Sequence, residues 1–219
     1  MIKLSHVYKV YDADSCRTEA LSDVNLEIAQ GEFVAVMGPS GSGKSTLLHI
    51  LGAMDVATSG EYFYNDKPVH SMKPAELHRF RASEIGFVFQ DFALMKYYTV
   101  AENVMLPLQF RGASAKESRI KAESLLDALG IKEVKDKMPT HISGGQKART
   151  AIARAIITDA PIILADEPTG TLDSRTGEDI MVLFEELNRK GKTILLVTHD
   201  MQIASHANRV IYMRDGRIQ

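Results

Sequence analysis

Apolar residues in this chain fall into two textures. In the first, short runs are continuously apolar: Phe33-Val34-Ala35-Val36-Met37, Ile162-Ile163-Leu164-Ala165 and Ile194-Leu195-Leu196-Val197. Runs of this length bounded by turn residues read as strands covered on both faces, as in a parallel sheet. Strands are expected at 33–37, 85–89, 162–165, 193–198 and 209–213, and also at 2–8, 24–28 and 60–64. Turns are expected at 29–31, 65–68 and Asp215-Gly216, and a polar loop over 12–18. Helices are expected at 46–51, 75–81 and 176–189, the last ended by Gly191.

From about residue 91 to 158 the texture is helical, with no convincing strand. Thr99 with Glu102 and Ser114 with Glu117 are capping-box pairs. The second opens a helix with apolar positions at Ile120, Leu125, Leu126 and Leu129, stopped by Gly130. The reading is one α/β domain spanning 1–219, in which a sheet core (1–90 and 159–219) carries an inserted helical subdomain (91–158).

Composition narrows the class. With 219 residues, 45% hydrophobic and 25% charged, the chain can bury a sizeable core. A net charge of −2 gives no field favouring a polyanion, so nucleic acid is not an expected partner. Cys16 is the only cysteine, which excludes an internal disulfide and fits a reducing compartment. No apolar run approaches the roughly 20 residues of a membrane span, and residues 1–6 lack the apolar core of a secretory signal. The expected location is cytoplasmic, unless a partner holds the chain at a membrane.

The chemistry begins at Gly38-Pro39-Ser40-Gly41-Ser42-Gly43-Lys44-Ser45-Thr46, a G-x-x-x-x-G-K-[ST] loop between an expected strand and helix. Glycines let successive N–H groups point into one concavity, and the helix N-terminus adds partial positive charge. Lys44 suits β- and γ-phosphates, and the Ser45 hydroxyl suits Mg²⁺. Asp166 and Glu167 follow a buried-type strand, at the sheet edge where α/β proteins bind ligands. Asp166 fits a Mg²⁺ ligand, and Glu167 a base or orienter for an attacking water.

Ser143-Gly144-Gly145-Gln146 admits two readings. It is a capping box opening a helix over 147–158, yet two glycines in a first helical turn cost about 1 kcal/mol each against alanine. A bare helix N-terminus of small residues is also a phosphate-binding candidate. His199 and Gln90 each stand just beyond an expected strand and are individually weak signals.

Taken in order, the phosphate loop, Gln90, Ser143 to Gln146, Arg149, Asp166-Glu167-Pro168-Thr169, Asp173 and His199 resemble the ATP-binding cassette (ABC) ATPases along essentially the whole chain. The resemblance implies a P-loop NTPase fold with an antiparallel β subdomain, and ATP hydrolysis with Mg²⁺. In that family's pattern Gln90 touches Mg²⁺ or the lytic water and senses a membrane partner. Ser143 to Gln146 cap the γ-phosphate of ATP held by a second copy, Asp173 links the two sites, Glu167 is the base and His199 contacts the γ-phosphate. Tyr11 matches the aromatic that stacks on adenine, so Tyr11→Phe is expected to be nearly silent; the other reading is a strand-end tyrosine.

The segments 86–92, 102–108 and 163–170 are similar to the ATPases of macrolide exporters and lipoprotein-release complexes. The segment 142–150 leans toward antimicrobial-peptide resistance ATPases. Ile142 and Gly170-Thr171 depart from the usual residues without removing a catalytic group. The partners implied are a second copy, in an ATP sandwich, and a transmembrane permease subunit. The alternative role is regulation of a cell-wall hydrolase through a membrane partner. Phe92, Leu94, Met95, Tyr97 and Tyr98 are expected to leave one or two residues exposed for that partner.

Overall fold

The computed structural model describes residues 1–13 and 16–219. In chain order its elements are β1 (Ile2–Ala13), β2 (Cys16–Ile28), β3 (Phe33–Met37), α1 (Lys44–Leu51), β4 (Ser59–Tyr64), β5 (Lys67–Pro68), α2 (Pro74–Glu84) and β6 (Ile85–Val88). There follow α3 (Val100–Phe110), α4 (Ala115–Ala128), α5 (Gly144–Ile156), β7 (Ile162–Asp166), α6 (Ser174–Arg189), β8 (Thr193–Val197), α7 (Met201–Ala204), β9 (Arg209–Arg214) and β10 (Arg217–Ile218).

Two sheets result. The larger has the order β10-β9-β3-β8-β7-β6; all its pairings are parallel except the β9–β10 hairpin, which turns at Asp215-Gly216. The smaller, β2-β1-β4-β5, is antiparallel throughout. Both predicted sheet types are present. β3 and β8 are buried at every position, as their unbroken apolar sequences require.

Alternate residues of the central strands feed opposite layers. Val34, Val36, Leu164, Leu195 and Val197 meet Leu47, Leu48 and Leu51 of α1, which lies between the two sheets. Ile163, Ala165, Ile194 and Leu196 meet Ala148 and Ile152 of α5 and Ile180, Met181 and Phe184 of α6. Between β6 and β7 every regular element is helical, and α3, α4 and the end of α5 share a further cluster around Val104, Leu126 and Ile157. No helix among the described residues is long and apolar enough to cross a membrane.

β6 and α5 approach closely at Gly86, where an added Cβ would run into the Ala155 carbonyl. Gly86→Ala is therefore expected to destabilise the fold by about 1–3 kcal/mol, the usual range for overpacking. Urea unfolding followed by circular dichroism would read this as a lower midpoint at unchanged slope.

The structure corrects several boundaries. The expected loop at 12–18 is occupied by the ends of β1 and β2, which pair through Ala13 and Cys16; Asp14 and Ser15 lie outside the described residues. Apolar alternation through Val24, Leu26 and Ile28 breaks at Asp23, whose φ is 54°, and this irregularity hid the N-terminal half of β2. α5 and α6 begin earlier than expected because Ser143 and Asp173 are their N-caps. Ile120, expected on the apolar face of α4, is 63% exposed.

Candidate functional site

Parallel pairing puts the C-terminal ends of β3, β8, β7 and β6 along one edge of the large sheet. Each strand delivers one piece of chemistry just beyond its end: the glycine loop after β3, His199 after β8, Asp166 and Glu167 at β7, and Gln90 after β6. These pieces converge on one cleft of about 670 Å³, lined by Gly38 to Gly41, Gly43 to Thr46, Gln90, Asp166, Glu167 and His199. Sequences far apart in the chain thus meet at a position where open α/β sheets bind ligands.

The loop is a backbone cradle. Gly43 has φ 97° at the N-cap of α1, and a Cβ there would strike the Ala20 carbonyl. Gly38 has φ 156°, and a Cβ there would strike the Met213 carbonyl. Only glycine meets both requirements at these positions. The first N–H groups of a helix such as α1 have no partner within the helix, and a helix N-terminus favours an anion. The Lys44 ammonium donates to the carbonyls of Gly38 and Pro39, both at 2.8 Å, so the cation is already held at the loop's centre.

At the end of β7 the two carboxylates differ. Burial pushes the Asp166 carboxyl above its ordinary range and the adjacent Glu167 charge adds to this, while a hydrogen bond with Ser45 works in the opposite direction. The oxygen donors available here are the Asp166 carboxylate, the Ser45 hydroxyl and the Gln90 amide. They suit Mg²⁺, which takes few protein ligands and completes its shell with water and phosphate. Bound there, the ion would neutralise phosphate charge.

Glu167 has φ 43°, a left-handed conformation uncommon for a residue with a side chain, and its N–H donates to the Val197 carbonyl at 2.9 Å. That backbone turn directs the carboxylate into the cleft between two partners. The Gln90 Nε2 donates to one oxygen at 3.2 Å, and the His199 ring Nδ1 lies 3.0 Å from the other. A carboxylate fixed by two neighbours is arranged to orient water and accept its proton.

The remaining sequence-predicted residues lie outside this cleft's lining. Ser42 is buried within the loop. Tyr11 is in the body of β1, paired with Thr18, and its hydroxyl donates to Asp55 at 2.8 Å. Its partner gives the hydroxyl a role that the expectation of a silent Tyr11→Phe did not include.

Ser143 forms its capping box: the Gln146 N–H donates to Ser143 Oγ at 3.3 Å, and the Ser143 N–H donates to Gln146 Oε1 at 2.9 Å. Gly144 and Gly145 abut Leu172 and Thr176, and a Cβ on Gly145 would come within 2.7 Å of the Thr176 methyl. Packing between α5 and the start of α6 therefore already accounts for a small residue at Gly145. Asp173 caps α6 by accepting from the Thr176 N–H at 3.0 Å and hydroxyl at 2.6 Å. Those hydrogen bonds hold its carboxyl below the usual range.

Sequence reading missed Thr18, Glu19 and Ala20 as lining of the cleft, because the expected loop ended at Thr18 and the expected strand began only at Val24. It also missed Asp55 and Lys9, which bond to each other beside Tyr11.

A sequence profile of the ABC transporter family matches residues 21–170. The chain is 47% identical over 226 residues to the ABC transporter ATP-binding protein MJ0796 of Methanocaldococcus jannaschii, covering 100% of this chain and 95% of that protein. It is 46% identical over 218 residues to the macrolide export ATP-binding/permease protein MacB of Wolinella succinogenes. That match covers 100% of this chain and 34% of MacB, so the chain spans about a third of that relative's length. Among solved structures, the dimeric MJ0796 cassette matches with a TM-score of 0.93 at 46% identity, over 100% of this chain and 97% of that one. A dimeric post-hydrolysis state of MJ0796 bound to ADP and Pi matches equally well. With the phosphate cradle, the carboxylate pair and the family profile in agreement, the chain belongs to the ABC transporter family, as one of its ATP-binding ATPase cassettes.

Proposed function

We propose that this chain works as a head-to-tail pair, each copy holding Mg²⁺ and ATP on its glycine loop and covering its partner's γ-phosphate with Ser143 to Gln146. Glu167 is the base in this reading, His199 and Gln90 position it and the water, and Asp173 connects the two sites. The pair sits on the cytoplasmic face of a membrane and drives a permease subunit that exports or extracts lipoprotein, antimicrobial peptide or drug-like substrates. The dimeric MJ0796 cassettes and the permease fused to the cassette in MacB support pairing and a membrane partner.

The observation that carries this reading is the position of Gln90. It bonds the catalytic carboxylate on one side and leads into an exposed segment on the other. Phe92 is buried and Leu94 half-buried, but Met95, Tyr97 and Tyr98 are exposed, Tyr97 at 89%. A groove of about 340 Å³, lined in part by Phe87, Phe89, Leu106, Pro107 and Phe110, lies between β6 and the helical stretch; Phe110 is 81% exposed. Exposed apolar side chains next to a lever on the active site are suited to a cytoplasmic helix of the permease. We infer that residues 91–158 form the subdomain that such a helix moves.

The test is co-purification with a candidate permease subunit produced together with this chain. Tyr97→Asp and Phe110→Asp are expected to keep the isolated chain's ATPase rate within about 2-fold, since both lie on the surface away from the cleft. Each is expected to cost the complex its stability in detergent and membrane extracts. A complex formed as well by both variants as by the parent would place the partner elsewhere.

A further inference from the structure

Tyr11 is not a free-standing ring. Its hydroxyl donates to Asp55 Oδ2 at 2.8 Å. The other Asp55 oxygen accepts from the Lys9 ammonium at 2.6 Å and from the Val56 N–H at 2.7 Å. The same ammonium donates to the Val56 carbonyl at 2.8 Å and lies 4.7 Å from the centre of the Tyr11 ring. Lys9 is nearly enclosed, with 12% of its side chain exposed, whereas Tyr11 is 41% exposed.

This arrangement has two consequences. First, Asp55 belongs to the loop following α1, and its N–H bonds back to the His49 carbonyl of that helix. Adjacent hydrogen bonds, from the Thr58 N–H to the Tyr8 carbonyl and from the Val10 N–H to the Thr58 hydroxyl oxygen, fasten β1 to the same loop. The ring is thereby fixed relative to the helix whose other end carries the phosphate loop. Second, Lys9 occupies one face of the ring, a cation–π contact that leaves the opposite face as the surface available to a planar base.

We propose that Asp55 is a positioning residue for the nucleotide base, acting through Tyr11 with Lys9 as the backing of the ring. The proposal rests on the reading of Tyr11 as the base-stacking residue, and extends it. A ring held in its binding orientation before the ligand arrives loses less freedom on stacking, so the anchor contributes to affinity without touching the ligand. Hydrogen bonds from Lys9, Tyr11 and the Val56 backbone outweigh the effect of burial and hold the Asp55 carboxyl below its usual range, so the anchor is charged at neutral pH.

The experiment compares Mg²⁺-ATP with inorganic triphosphate, which has the phosphates and no base, by calorimetric titration of the full chain. Tyr11→Ala is expected to weaken ATP about 10-fold, the scale of a lost stack, and to leave triphosphate unchanged. Asp55→Ala and Tyr11→Phe are each expected to weaken ATP about 3- to 5-fold, again with triphosphate unchanged, which also shows that the loop and fold are intact. The double variant Tyr11→Ala with Asp55→Ala is expected to bind ATP no more weakly than Tyr11→Ala alone, because an anchor has no effect once the ring is gone. Parent-like ATP binding by Asp55→Ala beside a weakened Tyr11→Ala would overturn the proposal and keep the stacking ring. Parent-like binding by Tyr11→Ala would overturn the stacking reading and the proposal together. Equal losses of ATP and triphosphate in Asp55→Ala would also overturn it, by making Asp55 a support of the phosphate loop.

Discussion

Lys44→Ala is expected to weaken ATP binding by about 100-fold or more and to abolish hydrolysis. The side chain is only 8% exposed and its ammonium is fixed by two loop carbonyls at 2.8 Å. An ammonium has three N–H donors, so two hold it in place and the third is free to meet a phosphate oxygen. Hydrogen bonds between charged groups contribute about 1.5–3 kcal/mol each, and removing the cation also leaves the carbonyls of Gly38 and Pro39 facing the phosphates with nothing between. Those carbonyls line an open cleft and regain water in the empty protein, so thermal stability without nucleotide is expected to change little. Equilibrium binding of fluorescent ATP, with the melting temperature as control, separates the two effects. Affinity within about 3-fold of the parent would show that the loop amides alone hold the triphosphate.

How much of this site was legible in the sequence depends on whether the signal was local. The strand–loop–helix order around Gly38 to Thr46 is a contiguous pattern, and so is the placement of Asp166, Glu167, His199 and Gln90 just after apolar runs. Parallel strands covered on both faces share one C-terminal edge, so strand-end residues could be expected to gather before the strand order β3-β8-β7-β6 was known. The capping boxes at Thr99, Ser114 and Ser143 were likewise local, and all three form.

What stayed hidden depends on long-range partners. Lys9 and Tyr11 meet Asp55 across more than forty residues, and no spacing rule connects them. The ends of β1 and β2 lie beyond register shifts and residues with positive φ, at His6 and Asp23, that interrupt alternation. The glycines after Ser143 looked like an anion site in want of compensation, yet Thr176, on the next helix, already excludes a Cβ at Gly145. Left-handed φ at Glu167 could not be anticipated from a residue type that rarely adopts it.

Glu167→Gln is expected to reduce ATP hydrolysis by 10²- to 10⁴-fold, the usual consequence of losing a general base, while ATP binding survives. Glutamine preserves the size of the side chain and one acceptor oxygen, so the contact with Gln90 Nε2 can persist, but the amide cannot take a proton from water. Lys44, Ser45 and Asp166, which line the same cleft, are untouched. Ser143 to Gln146 do not line the cleft of their own chain, so a second copy must supply them if they are to cap the γ-phosphate. In the head-to-tail pair proposed above each ATP is bridged by both copies, so ATP that is not consumed would favour the paired state by mass action. The variant is expected to elute from size-exclusion chromatography as a dimer with ATP and Mg²⁺ and as a monomer without nucleotide. Adding Ser143→Arg places bulk and charge at the cap and is expected to return it to monomer while leaving ATP affinity of the single chain nearly unchanged. Parent-rate hydrolysis by Glu167→Gln would remove this carboxylate from the mechanism. A variant that binds ATP, does not hydrolyse it and stays monomeric would show that pairing requires the membrane subunit, or that Ser143 serves only as the N-cap of α5.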